Sequence, residues 1–492
     1  MPDGVVSGEH MKRWFWAALA GLTAVRLLVA AQTPMAPDEA YYWVWSQALA
    51  SGYLDHPPMV ALWIKLGTLL AGQGNLGVRL LAPLSAALGS VLLARAGEDL
   101  LPGRDAGMWA AVLLNATLIF AVGSTTMTPD TPLLLFWTAT IWALGRLFAT
   151  GRGWWWLVAG AAAGLALDSK YTAVLLAPAI LIWLVATPSM RHWLRSPWPY
   201  AAALLAAVIF APVLMWNAAH GWASFAKQGG RVADFDAGRA LQFLGELFGG
   251  QLGLATPIIG VIAGAAIITA VRRAMTQDGA WVLLASLTAL PALVFIEHAL
   301  GDRVQANWPA IIFPAASIAA AGLSVRWRRW FKPGAALGFV LTLIVWLQAA
   351  LQPVALPMRA DPTLLRLGGW ESLAAQIDFA AKAQHAEYVA FDNYGQAALM
   401  ARLLPQGCVV LGVDDRWALF KLVDGSAASE GKAGLLVRSA RRDDHPDPSR
   451  WAEITPLAGL TRARGGMTAE AFRLYRVVGK PGDTAIAVMP RP

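Results

Sequence analysis

Cysteine is almost missing: Cys408 is the single thiol in 492 residues. That excludes an intramolecular disulfide framework, and it leaves the chain's compartment unmarked by oxidation. Charge is scarce as well, at 14% of residues, too little for the surface of an ordinary soluble protein. The stretch Gln32–Pro58 has no Lys or Arg at all. No low-complexity tract and no repeat of fixed period is present, which excludes solenoid architectures.

What fills the chain is apolar. Hydrophobic residues make up 57% and tryptophan alone numbers 24, with a mean hydropathy of +0.50. Such a composition belongs to polytopic membrane proteins, and tryptophan is enriched where acyl chains meet water. The net charge of +8 would suggest nucleic acid in a soluble chain. Here the basic residues gather in short loops between apolar runs, so nucleic acid is discarded as a partner.

Lys12 and Arg13 precede an apolar run, Trp14–Ala31, that reads as a retained helix; Val29-Ala30-Ala31 also resembles a signal cleavage site. Ten further runs follow, at about Leu76–Ala96, Gly107–Val122, Pro132–Phe148, Trp154–Leu167, Thr172–Ala186, Tyr200–Trp216, Leu247–Val271, Ala280–Ile296, Trp308–Leu323 and Ala335–Leu351. The expectation is an α-helical polytopic protein of about 11–13 transmembrane helices over residues 1–351. Met59–Ala71 is shorter, carries Lys65, and reads as interfacial or half-inserted, extending the first-loop region 32–58 to about residue 72. Residues 352–368 hold three prolines and read as a linker, and 369–492 as a small α/β domain.

Charge sets an orientation. With a cytoplasmic N-terminus, the inner loops carry Arg95 and Arg104, Arg146 and Arg152, Arg191 and Arg195, Arg272 and Arg273, then Arg326, Arg328, Arg329 and Lys332. The outer loops are poor in basic residues, apart from Lys227, Arg231 and Arg239 in one and Arg303 in another. This alternation follows the positive-inside rule and puts both the C-terminal domain and the polar loops on the periplasmic side.

The unusual polar residues then share one side. Pro37 suits the first position of a helix, with Asp38 and Glu39 in its first turn and Tyr42 on one face. Asp55-His56-Pro57-Pro58 ends the loop in a stiff turn, and His56 suits either a proton partner or the turn itself. Thr128-Pro129-Asp130, then Asp168-Ser169-Lys170-Tyr171, Glu297-His298, Asp302-Arg303 and Asn307-Trp308-Pro309 occupy later outer loops. Lys65, Arg79, Lys170 and Arg303, near outer ends of spans, are phosphate-binding candidates, with snorkelling as the plainer role for Lys65 and Arg79. Glu297-His298 could pair with Arg303 across their loop.

Asp38-Glu39-Ala40-Tyr41-Tyr42-Trp43 and Gly52-Tyr53-Leu54-Asp55-His56-Pro57-Pro58-Met59 resemble the first outer loop of bacterial family 39-type glycosyltransferases. These belong to the GT-C class, with protein O-mannosyltransferases and the lipid A aminoarabinose transferases. Thr128-Pro129-Asp130-Thr131-Pro132-Leu133, Ser169-Lys170-Tyr171-Thr172 and Asn307-Trp308-Pro309 are similar to later motifs of that group, and Asp392-Asn393-Tyr394 alone looks familiar beyond the spans. The resemblance implies a bacterial inner-membrane transferase using a hexose or pentose on polyprenyl phosphate, with an envelope lipid such as lipid A, a glycan or a protein as acceptor. It implies Asp38 as the base, with Glu39 a supporting acid or a helix-start charge, and Asp130 a second acidic group or a cap before Pro132. Asp38 and Asp130 are also the candidate ligands of a divalent cation; no other cofactor is called for. Tyr42, Asp55, His56, Tyr171, Glu297, His298, Asn307 and Trp308 would line the substrates. A transporter or flippase is the alternative, but it would place polar residues and broken helices at the midplane and show pseudo-repeats, and neither is found.

Overall fold

The computed structural model describes residues 3–103, 105–229, 236–442, 444–481 and 486–492, giving the helix path alone for 3–13. Arg104 and Arg231 lie outside the described residues, as do the side chains of Lys12 and Arg13. Two units are built from interleaved segments. The first takes Met1–Leu28, Asp55–Val60 and Leu80–Leu343; the second takes Val29–Leu54, Ala61–Arg79 and Ile344–Pro492. Most of the first loop, expected with the spans, therefore groups with the C-terminal residues.

Among the described residues seven helices are long and apolar enough to cross a membrane, and an eighth if the bent pair Tyr171–Ala186 and Pro188–Arg195 is one span. That is fewer than the 11–13 expected, because several apolar runs are broken. Gly107–Val122 forms two short helices, Ala106–Asn115 and Leu118–Gly123, the second capped by Thr117, whose hydroxyl accepts from Phe120 N–H. Leu247–Val271 is divided between Ala237–Leu254 and Pro257–Ala274. Thr256 there has φ +65°, a conformation no helix continues through, and Pro257 then restarts the chain. Met59–Ala71, Ala106–Asn115, Trp155–Leu167 and Trp308–Ala320 are the shorter apolar helices.

Within the first unit, Leu81–Leu100, Asp130–Thr150, Trp155–Leu167 and Trp198–Ala219 pack in sequence around a core that includes Leu93, Trp137, Ile141 and Leu144. Small residues allow the close approaches. A Cβ on Gly160 would lie 2.4 Å from the carbonyl oxygen of Ala202, so the helices Trp155–Leu167 and Trp198–Ala219 meet backbone to backbone there.

The second unit holds a sheet of eight strands: Tyr388–Phe391 (β1), Val409–Val413 (β2), Val423–Asp424 (β3), Ala433–Ser439 (β4), Trp451–Pro456 (β5), Leu460–Arg464 (β6), Met467–Gly479 (β7) and Ile486–Val488 (β8). Their order is β3-β8-β2-β1-β4-β7-β5, with β6 also on β7. β1 is central and parallel to both β2 and β4; the remaining pairs are antiparallel. β1 leads through the helix Tyr394–Leu403 to β2 on one flank, and the chain later returns to β4 on the other. The carboxyl ends of β1 and β2 thus carry Asn393-Tyr394 and Asp414-Arg416 on neighbouring loops, the edge where open α/β sheets place their sites.

Candidate functional site

In the second unit, the helix Pro37–Gln47 begins as its sequence dictates. Proline opens it, and the Glu39 carboxylate accepts from Ala36 N–H at 3.1 Å. Glu39 is buried and its two oxygens also accept from Arg79 Nε and Nη2 at 2.7 and 2.6 Å. Arg79, equally buried, donates further to the carbonyls of Ala30, Thr33 and Pro34. Its guanidinium is thereby committed to holding the loop's entry, and no nitrogen is turned to a phosphate.

Asp38, one residue earlier, is exposed and accepts from the Tyr394 hydroxyl at 3.2 Å. Tyr394 stacks on Tyr41 with ring centroids 4.5 Å apart. The Arg416 guanidinium covers both rings, at 4.1 Å from Tyr394 and 5.6 Å from Tyr41, and is held by Asp414 at 3.2 Å. A Cβ on Gly395 would lie 2.8 Å from that of Pro37, so glycine is what lets the helix Tyr394–Leu403 approach Pro37–Gln47 so closely. Arg402 adds a guanidinium 4.5 Å over the Trp43 ring; burial, with Arg79 nearby, lowers its pKa to about 10. Tyr42 lies against Trp45, 5.0 Å between centroids, and Trp45 stacks on Tyr53 at 4.2 Å. Lys65 is half-buried on the helix Met59–Ala71.

In the first unit Asp130 opens its helix, nearly buried, with Oδ1 accepting from Lys170 Nζ at 2.7 Å and Oδ2 from Asn307 Nδ2 at 2.5 Å. Lys170 is itself buried and lies 5.9 Å from the Trp308 ring, whose centroid is 5.4 Å from that of His298. Three outer-loop motifs read separately in the sequence therefore converge on one ion pair. Asp55 pairs with Lys227, and its carbonyl accepts from Gln228 at 2.8 Å, while His56 follows in the same turn. The Tyr171 hydroxyl meets Ser224 Oγ at 2.6 Å. Asp168 caps the helix Trp155–Leu167; its carbonyl accepts from Met59 N–H, and its carboxyl Oδ1 has no hydrogen-bond partner among the described residues. Burial pushes that carboxyl up to about 7.

Arg303 pairs with Glu246 at 2.6 Å and not with Glu297, which corrects the expected pairing across the short loop. The helix Ala237–Leu254 brings Glu246 to it, whereas Glu297 is exposed. Among the described residues no three of His, Cys, Asp and Glu converge to hold a metal ion. At Asp130 the donor set does not suit a divalent cation, since an ammonium already occupies one oxygen and an amide N–H the other.

Residues 55–216 match the family described as dolichyl-phosphate-mannose-protein mannosyltransferase. The chain is 26% identical over 365 residues to the lipid A galacturonosyltransferase RgtD of Rhizobium johnstonii, covering 73% of this chain and 76% of that protein. Crystal structures of ArnT from Cupriavidus metallidurans share its fold. The apo form has TM-score 0.62 at 14% identity, covering 96% of this chain and 98% of that one. The form bound to undecaprenyl phosphate has TM-score 0.60 at 15% identity, covering 97% and 98%. The family likeness covers residues 55–216, and the ArnT structures show a shared fold over nearly the whole chain.

The sequence pointed to Asp38, Asp130, Lys170 and Asn307, but it did not place Tyr394 and Arg416 beside Asp38. The Asp392-Asn393-Tyr394 triplet was the one available signal. Two measurements test this geometry. Arg79→Met takes the guanidinium away from the buried Glu39 carboxylate, which should cost about 3–5 kcal/mol in a denaturation series in detergent; Glu39→Met with Arg79→Met should recover part of the loss. Asp168 supplies a pH test. Its carboxyl stays protonated in the folded chain up to about 7 but ionises near 3.8 when unfolded. The unfolded chain therefore sheds its proton first, and stability should fall as pH rises from 3.8 towards 7. Asp168→Asn should flatten that slope in thermal melts, and an unchanged slope would assign it elsewhere.

Proposed function

We propose that this transferase moves a sugar from a polyprenyl-phosphate carrier to lipid A or another envelope acceptor, at the periplasmic face of a bacterial inner membrane. The observation that carries the reading is Asp38: an exposed carboxylate at a helix start, oriented by Tyr394 and backed by the buried Glu39–Arg79 pair. Alternation of basic residues along the loops supports the periplasmic placement. The undecaprenyl phosphate of one ArnT structure supports the carrier class. Galacturonosyl transfer to lipid A by RgtD supports a hexuronic acid over a pentose, and lipid A as acceptor.

The chemistry follows from the residues. Asp38 takes the proton of the acceptor hydroxyl as that oxygen attacks the anomeric carbon. The bond from that carbon to the phosphate oxygen breaks, and its electron pair leaves with the polyprenyl phosphate. In the first unit, Lys170 has two further N–H donors beside the one given to Asp130, and they suit an anionic group. Asn307 and Asp130 fix the direction of that ammonium. We place Glu39 and Arg79 in support of the loop instead of at the substrate.

Purified protein with undecaprenyl-phosphate hexuronic acid and lipid A, read by mass spectrometry, tests the reading. Asp38→Asn should lower transfer about 10²–10⁴-fold with the protein still folded. Tyr394→Phe should lower it about tenfold, the worth of one hydrogen bond to a charged group. Full activity in Asp38→Asn would remove that residue from the mechanism.

A further inference from the structure

The second unit holds a cleft of about 300 Å³ at the carboxyl ends of β1, β2 and β4. Small-ligand sites run from about 300 to 1,000 Å³, so this one suits a single small molecule. It lies where the chain passes to one flank of β1 and later to the other, the edge at which open α/β sheets hold ligands. Asp392 follows β1, Asp414 follows β2, and Arg438 lies near the end of β4. Val413, Leu436 and Trp451 are buried and give the lining an apolar part.

The charges around it are paired with one another. The Arg438 side chain, 3% exposed, gives Nε to Asp392 and Nη1 and Nη2 to Asp444, which commits three of its five N–H groups. Arg442 reaches the same two acids at 3.2 and 3.3 Å, and Arg450 holds Asp415 at 2.7 Å. Asp392 Oδ1 is buried and has no hydrogen-bond partner among the described residues. Five carboxylates line the cleft against three guanidiniums, which disfavours a free anion. Among the described residues no three of His, Cys, Asp and Glu converge on a metal ion. What the cleft offers is a set of planar forks that give and accept hydrogen bonds beside an apolar wall. A sugar ring matches that chemistry. Each of its hydroxyls both donates and accepts, neighbouring hydroxyls meet a fork two at a time, and its C–H face suits the apolar wall.

We propose that this cleft is a saccharide site that seats one sugar ring of the acceptor. Asp414 connects it to the first-loop helix: it lines the cleft and holds Arg416, whose guanidinium covers Tyr394, the partner of Asp38. Saccharide binding stands on the cleft alone, whereas the ring's place in the acceptor rests on the transfer reading.

The test uses full-length protein in a detergent without a sugar headgroup, titrated with the methyl glycosides of glucose, galactose, mannose and N-acetylglucosamine and read by saturation-transfer NMR. At least one glycoside should bind. Arg442→Gln should weaken it about tenfold or more, the worth of a hydrogen bond to a charged group. Arg442 is exposed, and its replacement leaves both Arg438 pairs in place. Asp444→Asn is the second variant; it keeps an oxygen for Arg438 and should weaken the same glycoside. Asp38→Asn should bind it unchanged. No binding of any of the four, unchanged binding in either cleft variant, loss in Asp38→Asn, or displacement by inorganic phosphate or spermidine overturns the site. In the transfer assay Arg442→Gln should raise KM for the acceptor with kcat kept, and an unchanged KM overturns the acceptor assignment. Absence of transfer by the unaltered protein counts against the transfer reading, and the glycoside titration still decides the cleft.

Discussion

The Glu39–Arg79 ion pair forms where neither side chain meets solvent, and the shape of the first loop follows from it. A buried carboxylate and guanidinium tolerate each other only at close range and with their remaining donors and acceptors filled. That condition fixes three backbone carbonyls of residues 30–34 around Arg79 and ties Ala36 N–H to Glu39. The entry to the helix Pro37–Gln47 is therefore rigid, and the neighbouring Asp38 is left facing outward from a fixed support. Two acids adjacent in sequence acquire opposite roles because a helix turns about 100° between them.

The same helix is held from its other side by the sheet domain. Parallel β1 and β2 end side by side, and the loops leaving them deliver Tyr394 and Arg416 to Asp38 and Tyr41. The close approach at Gly395 and the rings of Tyr41, Trp45, Trp417 and Phe420 exclude water from most of that contact. A C-terminal domain without an evident motif of its own thus has a definite physical task, which is to orient a carboxylate 356 residues earlier in the chain.

How much of this was legible follows from what each feature depends on. Apolar runs such as Trp198–Ala219 and Gly279–Ala299 announce themselves, because a bilayer demands continuous apolarity and little else. The breaks do not: Thr256 reads as an ordinary residue before a proline until its positive φ divides a run in two. In the sheet, β1, β2 and β4 are largely apolar runs that burial dictates, whereas β3, β5, β6 and β8 are short or polar strands whose state depends on a partner. The first-loop carboxylates were visible by position, yet Arg303 was matched to the wrong acid, since Glu246 reaches it from 57 residues away. Local sequence carries helix starts and apolar faces; it does not carry which distant charge arrives beside them.

That distinction also separates the two acidic centres chemically. Asp130 has both oxygens engaged, one by an ammonium and one by an amide, in a nearly dry setting. An acceptor hydroxyl arriving there would have to displace a donor before its proton could move. Asp38 is exposed and accepts from the Tyr394 hydroxyl. An exposed carboxylate is one that an incoming O–H can reach without entering a dry interior. This contrast, and not acidity along the sequence, is the ground on which we place the base at Asp38 and give Asp130 the task of aiming Lys170.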